Sequence, residues 1–166
     1  NLQGKKVGII GTGRIGKKVA ELVDCFGAQL LLCDPVKDFS WAKKFSFNYF
    51  DIKEVFKSSD IISLHTSNIK NQYLIDQSEI KMIKKGCILI NTSRGNLVNE
   101  NAIIYGLKND ILSGVALDVF EQEPYAGKLS EFDNVIMTPH IATLTNESRL
   151  EMETQASENI VEFFNK

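Results

Sequence analysis

The sequence predicts an α/β fold, a doubly wound parallel sheet with helices on both faces. Three observations predict it. Short apolar runs of strand length alternate with stretches of helical periodicity. The first such run passes through a glycine-rich turn directly into a helix. Later runs end in polar residues, and ligands of such sheets bind beyond the carboxyl ends of the strands. Alternating strands and helices imply βαβ units, and right-handed crossovers place the helices on both faces.

Taken in order, residues 7–10 read as a short buried strand. Residues 11–16 (GTGRIG) make the turn. A helix follows with Ile15, Val19, Leu22, Val23 and Phe26 on one face, ended by Gly27. Residues 30–33 form the next strand and close on Asp34 and Pro35. The pattern is weakest over residues 36–50, where Trp41, Phe45, Phe47, Tyr49 and Phe50 read as packing residues. A short helix over 51–57 precedes a strand over 61–64. Residues 75–84 read as helix, 88–90 as strand, 100–108 as helix, and 114–117 and 135–137 as strands. The last helix starts near Thr145, an N-cap with Glu147 in the first turn. Met152, Ala156, Ile160 and Phe163 make its apolar stripe.

The 166 residues suffice for one domain with a core, and 43% apolar with 24% charged residues is an ordinary soluble composition. A formal charge of -2 supplies no basic field, which argues against nucleic-acid and anionic-membrane partners. No apolar run approaches the roughly 20 residues of a membrane helix. Cys25, Cys33 and Cys87 are odd in number and lack metal-type spacing, so they read as small buried residues of a reducing, cytoplasmic compartment, with no metal site expected. The chain opens without an initiator Met or the layout of a signal peptide, and reads as the middle of a longer protein cut at a domain boundary.

The glycine turn follows a strand, opens a helix, and has an acidic residue at the end of the next strand. Those are the conditions that make GxGxxG a dinucleotide site. Gly11 permits the tight turn, Gly13 lets a pyrophosphate approach the backbone, and Gly16 lets helix and sheet pack closely. The helix N-terminus offers N–H groups and a positive dipole end. Asp34, 18 residues beyond Gly16, can accept from ribose hydroxyls and would repel a 2′-phosphate, which predicts NAD over NADP. Lys37 reads as a solvated surface charge.

Three later strands run into Thr92-Ser93-Arg94-Gly95, Asp118 through Glu123-Pro124, and Thr138-Pro139-His140. The topology puts all three at one sheet edge, so an Arg, a carboxylate and a His can converge there. Reduction of a 2-keto acid needs that set. A guanidinium holds the carboxylate and the adjacent carbonyl in a planar fork. A protonated imidazole donates to the oxygen as hydride arrives, and a carboxylate behind it fixes the tautomer. His65 also ends a strand and reads as structural, and Glu121 reads as solvated.

Residues 11–16, 91–95, 116–124 and 138–142 resemble, in order and spacing, the motifs of the D-isomer-specific 2-hydroxyacid dehydrogenases. Asp34-Pro35 resembles the phosphoglycerate dehydrogenase branch. The resemblance implies a Rossmann-type, NAD-binding domain over 1–166, with residues 145–166 leading toward an absent substrate lobe, and an isolated chain that turns over poorly. It implies that Arg94 binds substrate, Glu123 partners His140, and His140 is the acid/base. Gln122, one place away, leaves a second register open. Gly11, Gly13, Arg14, Ile15 and Gly16 would meet the coenzyme, Asp118 would lie near its carboxamide, and Thr66 and Thr92 along it. Residues 66–71 depart from the family's pattern. The implied partners are a small 2-hydroxy or 2-keto acid and a second copy in a homodimer. An alternative stays open, an NAD(H)-sensing module resembling the C-terminal-binding-protein corepressors.

Overall fold

A computed structural model of the chain describes residues 1–67 and 72–165. Seven strands form one parallel sheet: β1 (Lys6–Ile10), β2 (Gln29–Cys33), β3 (Asn48–Tyr49), β4 (Ile61–Leu64), β5 (Cys87–Asn91), β6 (Leu112–Leu117) and β7 (Val135–Met137). Their order is β3-β2-β1-β4-β5-β6-β7, so the direction of winding reverses between β1 and β4. A crevice opens at such a switch point.

The register fixes what lies beside that crevice. Ile10 is paired with both Cys33 and Leu64, Leu64 with Asn91, Asn91 with Leu117, and Leu117 with Met137. These last strand residues form one row across the sheet. The residues that follow them (Asp34, Gly11, His65, Thr92, Asp118 and Thr138) therefore stand together along the carboxyl edge.

Helices cover both faces. One layer packs α3 (Ile52–Ser58), α4 (Gln77–Ile80) and α5 (Glu100–Lys108) on the sheet through Val55, Phe56, Ile80, Ala102, Ile103 and Leu107. The other packs α1 (Arg14–Asp24) and α2 (Phe39–Lys44) through Ala20, Trp41 and Ala42 onto Val7, Ile9 and Leu32. In β1 the alternation is visible: Ile9 belongs to the second layer and Ile10 to the first. The last helix, α6 (Asn146–Phe164), starts at an N-cap where Thr145 Oγ1 accepts from Ser148 N at 3.1 Å.

Four expectations are corrected. In α1 the buried residues are Gly16 and Ala20, with Val19 and Val23 packed beside them, while Ile15, Leu22 and Phe26 are exposed. Gly16 sits against the Gly11 carbonyl, and that close approach rotates the helix so its smallest residues face the sheet. The helix expected over 75–84 is one turn, α4. Ile75 bridges to Val98, Asp76 and Glu79 form a capping box, and Lys84 N donates to the Phe56 carbonyl, which draws the chain out of helical register. The stripe Met152, Ala156, Ile160 and Phe163 of α6 is exposed, because the helix buries none of its residues against the rest of the chain. Of the cysteines, Cys87 is buried and Cys33 half-buried, but Cys25 at the end of α1 is exposed. The weakly patterned stretch 36–50 contains α2 and the edge strand β3. Among the described residues, no helix is long and apolar enough to cross a membrane.

Candidate active site

The glycine turn is compressed by its neighbours. Gly11 has φ +96°, and a Cβ there would lie 2.5 Å from the His65 carbonyl carbon. Both facts require glycine. Gly13, the N-cap of α1, faces open space, and Arg14 and Ile15 are exposed in the first turn. Thr12 N donates to Asp34 Oδ2 at 2.6 Å, and Val36 N donates to Asp34 Oδ1 at 2.8 Å. The acidic residue at the end of β2 is thereby fastened to the turn. Lys37 is exposed, as expected.

A groove of about 440 Å³ runs along the row of strand ends, lined by Ile15, His65, Thr66, Thr92, Asp118 and His140 among others, and Arg94 borders it. His65 is half-buried, its Nε2 lies 2.9 Å from Ser63 Oγ, and burial pushes its pKa down. It is tied to its own strand and also forms part of the groove wall. Of the departing segment 66–71, residues 68–71 lie outside the described residues.

Arg94 is exposed, and its Nη1 donates to the Ser93 carbonyl at 2.6 Å. Its loop is fixed from below. Asn91, 1% exposed, accepts from Ser93 N at 3.0 Å and donates to the Arg94 carbonyl at 2.9 Å. Ser93 Oγ donates to the Leu64 carbonyl at 2.6 Å.

Asp118, buried at the end of β6, organises the loop after β7. Its carboxylate accepts from Thr138 Oγ1 at 2.6 Å, from Ile141 N at 2.9 Å and from Ala142 N at 3.0 Å. Burial alone would raise its pKa, but these hydrogen bonds outweigh burial and hold it below the usual carboxylate range. The carboxylate lines the groove, yet its oxygens are committed to the loop on which His140 stands at φ 55°.

Glu123 Oε2 faces His140 Nδ1 at 2.9 Å, while Glu123 Oε1 accepts from Phe120 N at 3.0 Å. The Phe120 N–H and the imidazole together draw the Glu123 pKa down. Glu123 therefore makes the contact, and the alternative register through Gln122 is set aside. With Nδ1 turned to the carboxylate, Nε2 is the ring nitrogen left for a ligand. Glu123, His140 and Arg94 share a cavity of about 320 Å³ with Gly95, Asn96 and Phe120.

The residues present fit a dinucleotide. Open space at Gly13 lies at the N-terminus of an 11-residue helix, and an acidic side chain stands at the end of the neighbouring strand. The comparisons agree. Residues 1–142 match the model of the D-isomer specific 2-hydroxyacid dehydrogenase NAD binding domain. The chain belongs to this family. It is 38% identical to a glyoxylate reductase of Aeropyrum pernix over 98% of this chain and 49% of that protein. It is 40% identical to a D-3-phosphoglycerate dehydrogenase of Bacillus subtilis over 98% of this chain and 31% of that protein. A D-lactate dehydrogenase from Aquifex aeolicus, complexed with NAD and lactic acid, superposes with a TM-score of 0.87 at 34% identity, covering 97% of this chain and 54% of that one. The chain thus spans about half the length, or less, of these relatives.

Several residues of the candidate site lie in family-like segments, but their structural roles carry no signal in the sequence. Asn91 ends a strand and reads as strand, and its role as a clamp appears only through backbone partners. Thr138 is an ordinary strand-end residue until Asp118 meets it. Gly95 permits a contact no pattern announces: a Cβ there would overlap the Phe120 carbonyl. That packing sets the Arg94 loop against the one bearing Glu123.

Proposed function

We propose that the full-length protein is an NAD-dependent dehydrogenase that interconverts small D-2-hydroxy acids and 2-keto acids, and that residues 1–166 are its coenzyme domain. The observation that supports this most is the Glu123–His140 contact of 2.9 Å opening on the same cavity as Arg94. When bound, NAD(H) would supply the hydride chemistry at the carbonyl or hydroxyl carbon. Arg94 holds the substrate carboxylate and polarises the carbonyl through its fork of N–H donors. His140 gives its Nε2 proton to the carbonyl oxygen as negative charge develops there, and recovers it in the other direction. Glu123 stabilises the imidazolium and keeps Nδ1 protonated. With the coenzyme bound, Asp118 would lie near the carboxamide, Thr66 and Thr92 would lie along the coenzyme, and Asp34 would accept from the ribose hydroxyls.

The similarity to glyoxylate reductases and to a phosphoglycerate dehydrogenase favours a small acid such as glyoxylate or a phosphorylated three-carbon keto acid. A cytoplasmic homodimer is the assembly we favour for the whole protein. The test is NADH oxidation by the full-length protein against a panel of 2-keto acids, with His140→Ala alongside. Turnover that collapses in the variant is the expected result. NADH binding without turnover on any acid would overturn the enzymatic reading and favour an NAD(H)-sensing module.

A further inference from the structure

A second hydrogen-bonded system lies beside the coenzyme turn, and Asp34 is the one member of it given a role above. Tyr49, on the edge strand β3, places its hydroxyl 3.0 Å from Thr12 Oγ1 and 3.2 Å from Asp38 N. The Asp38 N–H can only donate, so Tyr49 Oη accepts there, and either hydroxyl can supply the proton of the Thr12 contact. Thr12 is 5% exposed and is gripped at both ends: its N–H by Asp34 and its hydroxyl by Tyr49. Asp38 is held in turn. Lys17 Nζ lies 2.5 Å from its Oδ2, and Ser40 Oγ and Trp41 N donate to its Oδ1 at 2.7 and 3.0 Å. Trp41 Nε1 then donates to Glu21 Oε1 at 3.0 Å, back on α1.

These contacts close a circuit. From Thr12 it runs through Tyr49 to Asp38, along the backbone to Asp34, and back to Thr12 N. The circuit joins the two places where a dinucleotide would be gripped, the glycine turn for its phosphates and Asp34 for its ribose. The edge strand β3 is two residues long, and the Tyr49 hydroxyl supplies the link directly.

We propose that Tyr49 is a positioning residue for the coenzyme, its hydroxyl setting the separation between the phosphate-binding turn and the Asp34 loop. This rests on the coenzyme site proposed above. Preorganisation of that kind acts on affinity, because a loop already in its bound shape loses less freedom on binding. Tyr49→Phe keeps the ring, including its edge contact with Phe39, and removes only the link.

The experiment measures dissociation constants of NADH, ADP-ribose and nicotinamide mononucleotide by calorimetry. It uses the full-length protein as wild type, Tyr49→Phe, Thr12→Val and the double variant, with melting temperatures taken alongside. Loss of one such hydrogen bond should weaken NADH and ADP-ribose by about five- to tenfold. Nicotinamide mononucleotide, which does not reach Asp34, should bind as before. The double variant should be no weaker than Tyr49→Phe alone, because that substitution already removes both hydrogen bonds of the hydroxyl, the one to Thr12 included. A lowered melting temperature with unchanged dissociation constants would overturn the proposal and leave Tyr49 a packing residue. Losses that multiply in the double variant would overturn it too. Failure of the wild type to bind NADH would overturn the coenzyme site itself, and this proposal with it.

Discussion

Replacing Asp118 by Asn should unfasten the loop that carries His140. The carboxylate accepts three hydrogen bonds, from Thr138 Oγ1 and Ile141 N on one oxygen and from Ala142 N on the other. Asparagine keeps one acceptor oxygen and turns an NH₂ toward the remaining donor. If the oxygen stays with Thr138 and Ile141, the Ala142 N–H faces another donor. A hydrogen bond to a charged group contributes about 1.5–3 kcal/mol, so the lost bond and the weakened pair should together cost about 2–3 kcal/mol. For a domain of this size that lowers the melting temperature by about 5–10 °C. Urea unfolding at pH 7 should show a lower midpoint with an unchanged slope. The pH dependence gives a sharper criterion. The Asp118 pKa is lowered in the fold, so on acidification the unfolded chain takes up the proton first. Its contribution is complete above the unfolded value of about 3.9 and is lost as pH falls through the lower folded value. The gap between wild type and Asp118→Asn should therefore be widest near neutrality and shrink below about pH 4. A gap of equal size at pH 7 and pH 3 would refute the reasoning.

Three further outcomes are expected. Glu123→Gln should lower kcat/KM at pH 7 by about 10- to 100-fold, because the imidazolium loses its counter-charge while the Phe120 N–H keeps an acceptor; steady-state kinetics with the melting temperature as control decides it. Gly95→Ala should destabilise the fold by about 2–4 kcal/mol and raise KM for the keto acid, since the added Cβ meets backbone at Phe120 and displaces the Arg94 loop; wild-type stability in urea would contradict this. Iodoacetamide at neutral pH should label Cys25 and spare Cys87, whose thiol is pushed up to about 12 by burial first and by Asp60 second; mass spectrometry of the native protein reads the order directly.

The strand ends were legible because register is simple in a parallel sheet. Once runs such as 61–64 and 88–91 are recognised, the next residues must share an edge, and His65, Thr92, Asp118 and Thr138 do. Arg94, Glu123 and His140 were legible as types whose chemistry fits together. What stayed hidden depends on backbone N–H groups or on close approach, neither of which has a side-chain signature. The carboxylate of Asp118 accepts from Ile141 N and Ala142 N; the family resemblance implies a place for Asp118 near the coenzyme but is silent on its hold over the loop of His140. The periodicity of α1 pointed to Ile15, Leu22 and Phe26 as the buried face, yet Gly16 against Gly11 turned the helix another way. Tyr49 looked like one aromatic packing residue among five, since nothing in the order of residues brings β3 beside Thr12.

The backbone of His140 adopts the left-handed conformation, at φ 55°. Side chains other than glycine seldom settle there, and asparagine, aspartate and histidine do so more readily than most. On the proposed function, position 140 thus selects its residue twice, once for a ring that would carry a proton and once for tolerance of an unusual main-chain twist. An alanine variant subtracts both at the same time and would charge to catalysis a loss that belongs in part to conformation. Asparagine accepts the twist and lacks the imidazole. The difference between the two variants is then a direct reading of how much of the loss at this residue is geometry and how much is proton transfer.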